Sequence, residues 1–215
     1  MNTLQKIDAL VTRLTGLAGS DRLFNPYAAQ GGSAAAVRRS NLTRYLADMA
    51  ARMPRHLFLF EAPGYRGCAL TGIPVTSERI LLAGIPEWGL FGAGYQGTSG
   101  QPDGVAEMTA TILWDTLRAH LDAPPLIWNT VPLHPHRPGA PASNRTPGVQ
   151  EQREGAFFIG AIMELFEFEY IFGVGRIAQR ALAAQGYPYI PLRHPSQGGK
   201  AEFVSGLRAA LQGCV

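Results

Sequence analysis

Four short apolar runs decide what this chain can fold into. They read HLFLFE (56–61), PLIWNT (125–130), YIFGVG (170–175) and YPYIPLRHPS (187–196). Near-continuous apolar character suits strands buried on both faces. Stretches with helical spacing separate them, at 104–121, 149–166 and 176–185, and others stand at 1–17, 36–53 and 200–211. Strands alternating with helices predict an α/β fold, a three-layer α/β/α sandwich around a central, mainly parallel four-stranded sheet. Leu4, Ile7, Leu10, Val11 and Leu14 supply the apolar face of the first helix. Asp103 is placed to cap the helix after it, with Met108, Ile112 and Leu117 on one face.

No linker or repeat divides the 215 residues, and 46% hydrophobic content suffices for one core. The expectation is therefore one domain over 1–215, with 1–54 as its N-terminal helical part, and a monomer. The net charge of +3 comes from a basic set that is nearly all Arg, with Lys6 and Lys200 the only lysines. Arg forks suit phosphate and carboxylate, so nucleic acid is compatible with this charge but not required by it. Two cysteines, Cys68 and Cys214, cannot make a four-cysteine zinc or iron–sulfur site. No run approaches the ~18 apolar residues of a membrane span, and the first residues lack a signal-peptide block. A reducing cytoplasm is the expected location, with no membrane partner.

In parallel sheets, ligands bind beyond the carboxyl ends of the strands. The first predicted strand runs into Glu61-Ala62-Pro63-Gly64, the second ends at Asn129, the third at Gly175, and the fourth at His194-Pro195-Ser196. A carboxylate at the mouth of a buried strand is costly unless it is solvated, paired or used. The topology should bring this carboxylate, an amide and an imidazole to one edge. Two rival motifs are weaker. GVGRIA (173–178) fits a dinucleotide-binding turn, but no acidic residue follows at the next strand end, and close helix packing explains the glycines. His134 and His136 lack a third metal ligand in register, and prolines 132, 135 and 138 shape that loop.

EAPG after the first strand, WNTVPLHP…SNRTP after the second and HPS after the fourth are similar, in order and spacing, to the uracil-DNA glycosylase superfamily. The likeness is closest to the iron–sulfur glycosylases, which share EAPG, a downstream GxPF-like stretch, NRxP and HPS; this sequence reads GIPVT and NRTP at the middle two. The cluster cysteines are missing, so the resemblance implies a cluster-free relative with no metal or cofactor. It implies DNA containing uracil as partner, base flipping into a pocket, and hydrolysis of the N-glycosidic bond to leave an abasic site. His194 would then stabilise the departing uracil anion, a neutral imidazole sufficing in a dry pocket. Asn129 would read the base edge. Glu61 would orient water, or else only brace its loop through backbone N–H groups.

Ala62 stands where well-known relatives carry Asp, beside Pro63, Gly64 and Tyr65 at the expected base pocket. Val75 stands at the stacking aromatic, leaving Phe91, Tyr65 or Trp88 to supply a platform. Gly64 stands at the bulky residue that excludes thymine in some relatives. The loop Gln197-Gly198-Gly199 lacks an apolar wedge, which favours single-stranded or mispaired uracil. Ser196, Gln197, Gly198, Lys200 and Arg145 are the expected DNA contacts, Arg145 alternatively holding its loop by bonding carbonyls. Ala62 and Val75 also keep open a non-catalytic uracil- or nucleic-acid-binding homologue of the same fold. A nucleoside or nucleotide hydrolase is a more distant third reading.

Overall fold

The chain starts with a reciprocal cap. The Gln5 N–H donates to the Asn2 side chain and the Asn2 N–H to the Gln5 side chain, both at 2.9 Å. Helix α1 (Thr3–Thr15) follows and buries Ile7, Leu10, Val11 and Leu14, while Leu4 stays exposed. The computed structural model describes residues 1–212, and Cys214 lies outside them. The remaining elements are β1 (Leu23–Phe24), α2 (Gly32–Arg52), β2 (His56–Phe60), α3 (Cys68–Thr71), α4 (Glu78–Ala83), a 3₁₀ turn at Pro86–Trp88, α5 (Met108–His120), β3 (Leu126–Asn129), β4 (His134–Pro135), α6 (Val149–Leu165), β5 (Tyr170–Val174), α7 (Arg176–Ala184), β6 (Ile190–Leu192) and α8 (Lys200–Gln212).

The central sheet has four parallel strands in the order β3-β2-β5-β6. Leu57, Phe58, Leu59, Leu126, Ile127 and Phe172 are wholly buried, as strands covered on both faces require. Right-handed crossovers set α5 on one face and α6 and α7 on the other. α1 packs on α6, and α8 packs on α5. Among the described residues no helix is long and apolar enough to cross a membrane.

Local chemistry shifts several boundaries. Glu107, not Asp103, caps α5, its carboxylate accepting from the N–H groups of Thr109 and Ala110 at 2.9 and 2.7 Å. The buried face of α5 is Ala110, Leu113, Trp114 and Leu117, and Met108 projects outward, 78% exposed. β1 and β4 form a small antiparallel ladder between two segments the sequence presents only as loops. It ties the chain after β3 to the segment before α2.

Glu78 organises the long glycine-rich stretch after α4. Its wholly buried carboxylate accepts from the N–H groups of Thr98 (2.5 Å), Ser99 (2.8 Å) and Val105 (3.1 Å), and from the Ser99 hydroxyl. Burial pushes its pKa up, but the Ser99 hydroxyl and the backbone donors outweigh that and hold it below the usual value. Its contribution to stability is therefore present above the unfolded carboxylate's pKa and lost as pH falls through the folded one. Glu78→Ala leaves buried donors unpaired and is expected to cost about 3 kcal/mol in urea unfolding. An unchanged midpoint would show that the loop holds itself.

Candidate active site

The chain passes from β2 to β3 on one side and then returns to β5 on the other side of β2. In such sheets the crevice opens where the winding reverses, here beyond the carboxyl ends of β2 and β5. Glu61 follows β2 and Gly175 follows β5, while the outer strands bring Asn129 at the end of β3 and His194 just past β6. Strand spacing puts the β3 and β6 ends about 14 Å apart. The topology thus lines up amide, carboxylate and imidazole along one edge.

Asn129 is 2% exposed, and neither its Oδ1 nor its Nδ2 has a hydrogen-bond partner. Among the described residues the other buried side-chain polar atom in this condition is Trp128 Nε1, and strand alternation turns Trp128 to the opposite face. The backbone around Asn129 is firmly held. The Thr130 N–H and hydroxyl both donate to the Phe60 carbonyl at 2.8 Å, and the Val131 N–H donates to the Glu61 carbonyl at 3.0 Å. Helix α6 presses on this strand end at Gly155, where a Cβ would lie 2.0 Å from the Thr130 oxygen.

The Glu61 carboxylate is half-buried and accepts no hydrogen bond from the described residues. Only its backbone carbonyl is used, so the bracing role through N–H groups is absent. Burial raises its pKa, and Arg180 on α7 pulls it partly back.

His194 is fixed in one tautomer. Its Nδ1 lies 3.1 Å from the Ser196 N–H, which can only donate, and 2.7 Å from the Ser196 hydroxyl. Nδ1 is therefore an acceptor, and the neutral ring carries its proton on Nε2. Burial, then the charge of Arg193, lowers the pKa to about 4. Phe60 meets the ring edge-on, with centroids 5.6 Å apart. Gly175, at φ +83°, lies against it: a Cβ there would be 3.4 Å from His194 Cβ.

The loop after β2 is tied down from the opposite side. His134 Nδ1 lies 2.7 Å from the Pro63 carbonyl, and the Tyr65 N–H donates to Asn144 Oδ1 at 3.1 Å. The N–H groups of Gly67 and Ala69 both donate to the Gly64 carbonyl at 3.1 Å.

Several expected contacts are otherwise engaged. All five guanidinium donors of Arg145 are used within the chain, on the carbonyls of His136, Thr146 and Arg22 and on both Glu151 oxygens. Arg145 therefore holds its loop and has no donor left for a phosphate. Ser196 turns its hydroxyl onto the imidazole rather than outward. Phe91 is a core residue, 8% exposed and set among Tyr45, Tyr95 and Trp114, so it offers no open face for a base. Val75 has φ 45°, an outlier for a β-branched residue, and its carbonyl is held by Trp114 Nε1 at 3.0 Å. Ala62, Gly64 and Tyr65 are half-buried and Pro63 is buried, while Gln197, Gly198 and Lys200 are exposed beyond the imidazole. The GVGRIA glycines have packing reasons: a Cβ on Gly173 would meet Gln179 and Tyr189 at 3.0 and 3.1 Å.

The sequence matches no protein-family model and no curated protein. Among solved structures, wild-type SMUG2 of Pedobacter heparinus aligns over 97% of both chains, with a TM-score of 0.65 and 15% identity. The chain shares that fold.

His134 and Ser196 are the residues whose work at this edge the sequence understates. Ser196 follows His194 closely enough for its hydroxyl to be suspected of serving the ring. His134 carries no such signal, because the loop it anchors lies 71 residues away in sequence.

Proposed function

We propose that the chain is a DNA glycosylase that releases uracil by hydrolysis, leaving an abasic site. The observation that carries this reading is Asn129, a buried amide with donor and acceptor both unpartnered. Leaving such groups unpaired costs about 1–3 kcal/mol each, which a ligand edge of complementary pattern would recover. Uracil has that edge: its N3–H donates to Oδ1 and its O4 accepts from Nδ2. Cytosine presents the reverse at both atoms and is rejected as long as the amide is kept from flipping. The ordered strand-end motifs and the likeness in fold to SMUG2 support the same assignment.

His194 donates its Nε2–H to uracil O2, where negative charge grows as the N-glycosidic bond breaks. Glu61 orients a water toward the sugar carbon and favours the cationic sugar. The water's oxygen bonds to that carbon, its proton passes to the carboxylate, and uracil leaves as the anion. A Glu61 carboxylate that accepts no hydrogen bond from the described residues favours this hydrolase over a binding module that has lost its water activator, even with Ala62 in place of Asp.

The test is an oligonucleotide carrying one deoxyuridine, incubated with the chain and then treated with alkali. Strand scission at that site is expected. Its absence on both single strands and duplex overturns the reading, and release from free deoxyuridine alone points to a nucleoside hydrolase. Glu61 must be ionised to act, and burial raises its pKa, so kcat/KM is expected to climb with pH along a limb displaced upward from that of an ordinary carboxylate. Glu61→Gln is expected to lower the rate about 100-fold and to flatten that limb. A limb that survives in the variant assigns the base elsewhere.

A further inference from the structure

We propose that His134 is a positioning residue for this site, a buried imidazole that anchors the Pro63 carbonyl and so sets where Glu61 and Gly64 stand over the strand ends. Its effect on catalysis rests on the glycosylase reading. The anchor itself rests on geometry alone.

His134 is 1% exposed and lies on β4, where it pairs with Phe24 of β1. Its Nδ1 is 2.7 Å from the Pro63 oxygen and its Nε2 is 3.1 Å from the Pro141 oxygen. A neutral ring has one N–H, and the shorter contact assigns it to Nδ1. Among the described residues no backbone N–H donates to the Pro63 carbonyl. Proline has no N–H of its own, so this carbonyl is the handle by which that residue can be held. Pro63 is two residues from Glu61, and nothing among the described residues hydrogen-bonds the Glu61 carboxylate. With only the charge of Arg180 acting on it from α7, that carboxylate takes its position from the backbone that carries it. The β1–β4 ladder gives His134 a rigid base from which to act.

The test uses the full chain with His134→Leu, His134→Asn and His134→Gln. The Asn amide nitrogen stands near the place of Nδ1 and keeps the Pro63 bond. Gln reaches the place of Nε2 and does not. Three readouts are taken: single-turnover uracil release, Kd for uracil-containing single strands, and amide hydrogen exchange over residues 61–69. His134→Leu is expected to slow release about tenfold to 100-fold with Kd within about twofold, since a small misplacement damages the chemical step more than binding. Exchange over 61–69 should quicken, and His134→Asn should restore both. Should His134→Leu fail to fold, the same contrast is read between Gln and Asn. Equal release by Gln and Asn, or unchanged exchange in the variants lacking the Nδ1 donor, overturns the proposal. If the unsubstituted chain releases no uracil from any strand, the glycosylase reading fails while exchange still decides the anchor.

Discussion

Replacing Asn129 with leucine is expected to abolish uracil release and to raise the melting temperature together. The two effects have one cause. A 2% exposed amide with both polar atoms unpartnered is a cost the fold carries without a structural return. Leucine has the same branched outline with the same number of side-chain heavy atoms and no polar group to satisfy, so the substitution should stabilise by about 2 kcal/mol, several degrees in Tm. In the occupied site the same change leaves uracil N3–H and O4 buried against a methyl group. Sites built to hydrogen-bond a polar edge lose about 10⁴-fold when that pairing is removed. Thermal melts and alkali-scission assays on the same preparation check both halves. A variant that melts lower and still excises would make Asn129 a structural amide and remove the main support for a uracil pocket.

What could be read from the sequence divides along a physical line. The strand runs around Leu57, Ile127 and Phe172 declare themselves because burial on both faces demands continuous apolar residues, and the rule about strand ends then picks out Glu61, Asn129 and His194. Residues whose role depends on a distant partner stay hidden. Arg145 and a phosphate-binding Arg look alike until Glu151 and three carbonyls are seen around the guanidinium. Asp103 reads as the cap of α5 from its place before the helical stretch, and only the backbone geometry gives that role to Glu107. Phe91 looks available for stacking in a glycine-rich loop, yet the loop folds its ring among Tyr45, Tyr95 and Trp114. The β1–β4 ladder is two residues per strand, too short to leave a periodic signature, and it is what places His134 beneath Pro63.

His194→Ala is expected to lower kcat about 10³-fold with little change in KM, because the Nε2–H strengthens its bond only as charge gathers on uracil O2. The pH dependence separates a neutral donor from an imidazolium. The Ser196 N–H occupies Nδ1, and burial with Arg193 lowers the ring's pKa to about 4, so the ring is uncharged at neutral pH and already carries the proton it donates. The rate should therefore show no limb at 6.5, the ordinary histidine value, leaving Glu61 to shape the acid side. Stability should respond where the rate does not. Between 6.5 and about 4 the unfolded chain binds a proton that the folded ring refuses. Stability is thus fully present above that window and falls as pH drops through it, and His194→Ala should flatten this dependence. A rate that falls as pH rises through 6.5, and a loss of that fall in the alanine variant, would mean that the charged ring does the work. The tautomer fixed by Ser196 would then have no part in catalysis, since an imidazolium has no free Nδ1 lone pair to receive that N–H.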